Sequence, residues 1–472
     1  MMEPALFEQP RWSKWSALNL VAGVIWISQA TSFGPIAAIP FWLLGTAFLA
    51  SGASQLLWPG DDRIAHTGAL AGILGPIVAL PYLVALDLGA FLVLSASALG
   101  AAWGASRISF QLEPHYQGVP VPRPTFQLIA KVAVDEAILG FEQFTSTGFA
   151  LDGTLERAVE EIRETHALFE AEGYLEKPEN YHQTPPDLDD PEIRGKEIGG
   201  QSVQMLRFES GYAPAEGEPG RDRWLSYEPC RDGRAYVLRH EGAPRPWMIC
   251  TNGYRMGHAR IDVGLFKRFH QGLGLNVVIP VLPLHGPRRI GWQSGSGFLG
   301  IDLLDTLHAE AQSIWDMRRL LSWVRAQDAP AVGAFGLSLG GFTTAVFASI
   351  ADGLDCAIPG IPLADITRML GRHASAHQMR YAESKGYDLE RASEMLRVVS
   401  PLVLRPKVPL EGRMIFGATA DRLVSPDHVR DLWRHWDEPE IVWYDGSHVS
   451  FGSERKVWSG VDRTLRENGV CI

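Results

Sequence analysis

Hydrophobic positions follow two different regimes along this chain. Up to about residue 106 they form long runs with almost no charge, and beyond it they fall into short runs and helical stripes separated by turns. Four long runs are legible, at residues 17–33, 35–58, 67–86 and 88–105. Each approaches the length that crosses a hydrocarbon core of about 30 Å. Their interiors carry Gly, Pro, Ser and Ala, which membrane helices tolerate and use for close packing. Trp12, Trp15 and Trp58 stand at their ends, where indoles favour the membrane interface. A buried helical hairpin of a soluble protein is the competing reading, but no amphipathic period supports it. Ser28-Gln29-Ala30 also imitates a signal-peptide cleavage site, although three further apolar runs follow it.

The remainder predicts a connector and then an α/β unit. Residues 118–124 are Pro-rich and extended, and 126–172 carries apolar residues at helical spacing, predicting two amphipathic helices. Packing against the following domain suits this acid-rich stretch better than an anionic lipid surface. Residues 177–191 read as an irregular loop. From residue 234 short apolar runs alternate with helical ones, which predicts a doubly wound, mostly parallel sheet with helices on both faces. The expected organisation is an all-α transmembrane region over 1–106, a connector over 107–230 and an α/β domain over 231–472. Inside that domain a helical insertion around 362–408 carries Met369, Met379 and Met395.

Charge and composition narrow the possibilities. The net charge of −11 over 472 residues disfavours nucleic acid as a partner. Four scattered cysteines suggest neither a disulfide framework nor a zinc site, and fit a reducing compartment. No nucleotide-binding or zinc-hydrolase motif occurs, so no cofactor and no metal is expected. Arg11, Lys14, Arg63 and Arg107 flank one side of the four runs, and the other two connections lack Lys and Arg. Basic flanks favour the cytoplasmic side, which predicts an integral membrane protein with its α/β domain in the cytoplasm.

The chemistry concentrates in Gly336-Leu337-Ser338-Leu339-Gly340. This G-x-S-x-G follows a short apolar strand and precedes a small-residue helix, the context of a nucleophile elbow. Gly417-Ala418-Thr419-Ala420-Asp421 and Gly446-Ser447-His448 each follow a later strand-like run. The order Ser, Asp, His along the chain, each just past a strand, resembles the α/β-hydrolase superfamily over roughly the C-terminal half. The resemblance implies Ser338 as nucleophile, Asp421 as orienting acid and His448 as general base. It also implies an oxyanion hole from the backbone N–H of Leu339 and a second donor after the third strand. That loop begins Asn252-Gly253-Tyr254, where many relatives carry His-Gly, and Tyr254 N–H is the expected donor. Insertions at 362–408 form a cap in that superfamily, and Met-rich surface there suits either a flexible apolar substrate or the cap's own core.

Competing readings stand beside these. Asp365 also follows a strand and is an alternative acid, while Asp421 also suits a helix N-cap. His285, Arg288 and Arg289 sit past another strand, where the arginines suit a carboxylate or phosphate of the substrate. Their bland reading is pairing with cap acids such as Glu383 or Asp388, with His285 bracing the loop. The expected partners are therefore a bilayer and an ester or lipid substrate. A catalytically silent scaffold and a lipid-sensing membrane protein remain as alternatives.

Overall fold

The computed structural model describes residues 12–58, 63–145 and 153–471. Arg11 lies outside them. The chain divides into two compact units. One comprises residues 1–149 together with 418–426 and 443–454, and the other holds the rest.

The first unit is built on helices α1 (Ser16–Ala30), α2 (Pro35–Leu57), α3 (Arg63–Val78), α4 (Leu80–Val84), α5 (Leu88–Leu112) and α6 (Phe126–Thr145). Three helical stretches, Pro35–Leu57, Arg63–Val84 and Leu88–Leu112, are long and apolar enough to cross a membrane. The first expected run gives only a 15-residue helix, about 22 Å long at 1.5 Å per residue. The third is divided between α3 and α4, where Pro81 offers no backbone N–H to the helix ladder. Small residues line the inside of this unit. A Cβ on Gly72 would lie 2.5 Å from the Ala98 carbonyl oxygen, and one on Gly140 2.6 Å from the His66 oxygen. Trp26, Phe41, Phe48 and Leu94 are buried among them, while many other large apolar residues face outward: Ile36, Val84 and Leu86 are 84%, 85% and 91% exposed.

The second unit contains helix α7 (Thr154–Ala171) and a nine-stranded sheet, except for the last residue of its eighth strand and the last two of its ninth. Its strands are β1 (Glu192–Ile198), β2 (Gln201–Glu209), β3 (Asp232–Leu238), β4 (Trp247–Thr251), β5 (Asn276–Val281), β6 (Val332–Leu337), β7 (Cys356–Gly360), β8 (Met414–Ala418) and β9 (Glu440–Tyr444). The order is β1-β2-β3-β5-β4-β6-β7-β8-β9. β1 to β3 and the β3–β5 pair run antiparallel, whereas β5, β4, β6, β7 and β8 run parallel. The sheet therefore starts at residue 192, inside the expected connector, and not at 234. β1 escapes a pattern reading because only Ile198 of its seven residues is buried, leaving no apolar alternation. β4 to β8 are buried throughout, as central parallel strands covered on both faces must be. Between β7 and β8 stand three short helices, Ile366–His373, Ala376–Ser384 and Leu389–Met395. They occupy the position expected for a cap. Met395 is fully buried within it, while Met369 and Met379 are half-buried.

Candidate active site

β6 turns into the helix Leu339–Ile350 at a single residue, Ser338, which adopts φ 58° and ψ −117°. A non-glycine residue there is strained by about 1–3 kcal/mol and persists only where its surroundings enforce it. Those surroundings are visible. Ser338 N–H donates to the Gly360 carbonyl at 3.0 Å, and its own carbonyl accepts from Phe342 N–H (3.0 Å) and Leu363 N–H (3.2 Å). The flanking glycines leave the room needed, since a Cβ on Gly336 would stand 2.0 Å from the Gly340 oxygen and one on Gly340 2.3 Å from the Thr251 oxygen. Ser338 is half-buried at the head of that helix. Leu339, the first helical residue, has an amide with no acceptor inside its own helix.

The loop after β4 meets this turn from the side. A Cβ on Gly253 would lie 3.5 Å from Ser338 Cβ and 3.4 Å from the Leu337 oxygen. Asn252 is wholly buried and donates through Nδ2 to Asp262 Oδ2 at 2.8 Å, so it braces the loop. Burial pushes the Asp262 carboxyl up to about 7, against the hydrogen bonds from Gly257 and Asn252. Tyr254 follows, with the Arg255 guanidinium 4.6 Å from its ring and His285 edge-on at 6.0 Å.

His285 is buried, with Nδ1 2.9 Å from the Pro283 oxygen. Burial holds it neutral at about 4, a loop brace rather than a second base. Arg288 corrects the expectation of a substrate-binding cation. Only 1% exposed, it pairs with Asp316 at 2.9 Å and donates to the carbonyls of Val281 and Cys230. Its partner is an acid of the helix Leu303–Arg325, not Glu383 or Asp388 of the cap. Arg289 is exposed and donates to the Gly286 oxygen at 3.3 Å.

Asp421 and His448 fall in the helical unit, on the segments that follow β8 and β9. Thr419 N–H donates to the Tyr444 oxygen and Ala420 N–H to the Gly446 oxygen, which continues the pairing of the strands into the two loops. Asp421 Oδ2 lies 2.6 Å from His448 Nδ1, while Oδ1 accepts from Leu423 N–H (3.0 Å) and Val424 N–H (2.9 Å). Burial alone would lower the His448 pKa, but the adjacent Asp421 charge and hydrogen bond outweigh it, helped by Asp135, and raise it. A carboxylate on Nδ1 fixes the tautomer that leaves Nε2 as a proton acceptor. Asp365 is engaged elsewhere: it caps the helix Ile366–His373, accepting from Arg368 N–H and Thr367 Oγ1.

A pattern reading passes over Asp135, Glu136 and Arg422, which surround this dyad. Asp135 accepts backbone N–H groups from Arg422 (3.1 Å) and His448 (2.8 Å). Arg422 Nε donates to Glu136 Oε1 at 2.7 Å, and Ser109 and Glu113 complete its surroundings. The signal lay in α6, where two carboxylates interrupt the buried stripe Leu128, Ile129, Val132, Ala133, Ala137, Gly140.

No family model matches the chain. Among solved structures it is similar to acetyl xylan esterase 1 from Thermoanaerobacterium sp. JW/SL YS485, with 17% identity and a TM-score of 0.42 over 62% of this chain and 98% of that one. It is also similar to an acetyl xylan esterase from Paenibacillus sp. R4, with 12% identity and a TM-score of 0.43 over 63% and 99%. Likeness this slight bears on neither chemistry nor substrate, and the strand order with its elbow turn is what identifies the α/β-hydrolase arrangement here. Sequence similarity is far higher to two Mycobacterium tuberculosis proteins. Uncharacterized protein MT2702 (strain CDC 1551 / Oshkosh) is 41% identical over 357 residues, which is 75% of this chain and 85% of that protein. Uncharacterized protein Rv2627c (strain ATCC 25618 / H37Rv) is 40% identical over the same shares. The chain belongs to the family of these two mycobacterial proteins.

Proposed function

We propose that this protein is a membrane-anchored serine hydrolase that cleaves carboxylic esters through an acyl-enzyme on Ser338. The observation that carries the reading is the strained backbone of Ser338 on its glycine-flanked strand–helix turn. Strain of this kind gathers at active sites, where it presents a side chain that a relaxed turn would hide. The buried Asp421–His448 pair supplies a matching base with its orienting acid.

In this reading Ser338 Oγ attacks the ester carbonyl carbon while His448 Nε2 takes the hydroxyl proton. Asp421 holds the imidazole and stabilises the imidazolium, and the N–H groups of Leu339 and Tyr254 receive the oxyanion. Such donors are worth about 3–4 kcal/mol each in the transition state. His448 returns the proton to the departing alkoxide. Water, deprotonated in turn by His448, then breaks the acyl bond, releasing the carboxylic acid and restoring Ser338. The outward apolar faces of the N-terminal helices favour a bilayer location, where lipid-like or apolar esters are concentrated. The basic flanks Lys14, Arg63 and Arg107 favour a cytoplasmic α/β domain.

The test compares the native protein with Ser338→Ala. We expect a fluorophosphonate probe to label the native protein alone, and turnover of a short p-nitrophenyl ester to fall by at least about 10³-fold in the variant. A folded native protein that takes no label and shows no turnover is a silent scaffold, and the reading fails.

A further inference from the structure

Asp135 is fully buried on α6, a helix outside the sheet and its connections, yet its acceptors serve the two loops that carry the acid and the base. Oδ2 takes the N–H groups of Arg422, next to the acid, and of His448, the base itself; Oδ1 faces Val449 N–H at 3.5 Å. One carboxylate thus ties two segments 26 positions apart in sequence, counted from Arg422 to His448. The clamp is supported by its neighbour. Glu136 accepts from Arg422 Nε and Ser109 Oγ and contacts His66 Nδ1, so the Arg422 side chain is fixed to α3, α5 and α6 while its backbone is fixed to Asp135. Lys131, one turn earlier on α6, pairs with Glu454 at 2.5 Å and reaches the Asp445 carbonyl. The base loop is therefore held to α6 on both sides of His448.

Placing a second buried carboxylate beside Asp421 is unfavourable in itself. Burial and then the charge of Asp421 push the Asp135 carboxyl up to about 7, against His448 and the two backbone hydrogen bonds. A neutral asparagine would keep, through its single oxygen, the N–H groups of Arg422 and His448 without that penalty, and lose only the longer contact to Val449 N–H. What a carboxylate adds over an amide is its charge, which acts on the imidazole, since imidazolium gains from each anion nearby.

We propose that Asp135 is a positioning residue for the hydrolytic reaction: from the N-terminal helical unit it fastens the acid loop to the base loop, sets the His448 ring on Asp421, and strengthens the base by its charge. This rests on the hydrolase reading above. Mispositioning a catalytic group by about 1 Å costs on the order of 10²-fold in rate. The groups facing Asp135 are Asp421, His448 and Tyr444, with Arg422 engaged by Glu136 and Lys131 by Glu454. Only neutral imidazole accepts the serine proton, so activity falls as pH drops through the His448 pKa. Removing a negative neighbour lowers that pKa and moves the acid limb to lower pH.

The experiment uses the full chain in detergent or membranes, with a short p-nitrophenyl ester and the variants Asp135→Ala, Asp135→Asn and His448→Ala. We expect Asp135→Ala to lower kcat about 10²-fold with KM within about threefold. Asp135→Asn should recover most of kcat, yet show its acid limb at lower pH than the native protein. A purely structural role would not move that limb, and should Asp135→Ala fail to fold, the Asp135→Asn profile decides alone. Native kcat and an unmoved limb in Asp135→Asn, with His448→Ala inactive, overturn this proposal and leave the hydrolase reading intact. Full turnover in His448→Ala overturns both.

Discussion

Asp421 and Asp365 both follow strands of the sheet, and spacing alone does not rank them. Their hydrogen bonds do. Asp421 spends one oxygen on two backbone amides and the other on His448, whereas Asp365 spends one oxygen on a helix cap and its own N–H faces His428 Nδ1. Asp421→Asn should therefore lower kcat by about 10³–10⁴-fold, because an amide no longer stabilises the imidazolium or its tautomer. Asp365→Asn keeps a good N-cap and should leave kcat within about twofold. Equal losses in ester turnover at both positions would overturn the assignment of the acid. Arg288 teaches the same lesson in the other direction. A cation after a strand suits a substrate anion as well as a buried partner, and only the path of a 23-residue helix brings Asp316 beneath it.

Among the elements, the elbow is where sequence pattern and backbone agree most closely. Both glycines of the motif stand where a Cβ would enter backbone oxygen, and neither contact can be relieved by a side-chain rotation. Gly340→Ala should lower the melting temperature by about 5 °C or more, measured by circular dichroism or scanning fluorimetry. Gly264 offers the contrast, since it lies in the helix Ala259–Lys267 with open space around its Cβ position. Gly264→Ala should be neutral or stabilising by up to about 1 kcal/mol. Equal destabilisation by both would show that the elbow is not tightly packed. Elements without strong periodicity were the ones the pattern misplaced. β1 exposes six of seven residues, and the third apolar run conceals a break at Ala79, just before Pro81, because hydropathy is blind to a missing backbone donor.

The molecule as a whole combines two opposite packing rules. In the sheet unit large apolar residues are inside, as with Trp247, Phe266 and Phe335. The helical unit keeps glycine and alanine at several of its helix contacts and turns many large apolar side chains outward. That arrangement is costly in water at about 25 cal/mol per Å² of apolar surface, and natural in lipid. The full chain should therefore sediment with membranes and stay in the pellet through alkaline carbonate washing, entering solution only with detergent. Release by carbonate alone would remove the anchor. Unit membership adds a second point: Ser338 belongs to the sheet unit, while Asp421 and His448 group with the helices.

Local pattern was enough for the apolar N-terminal runs, the strand–helix alternation and the serine elbow, because each is written within a few consecutive residues and follows from backbone sterics or hydropathy. It also placed Asp421 and His448 just past their strands. The tertiary structure alone decided which groups surround them. Asp135 reaches His448 across 313 positions and Glu136 reaches Arg422 across 286. Any buried polar group needs a partner, but which one it finds depends on how distant backbone segments are brought together, and no local rule of periodicity or spacing contains that choice.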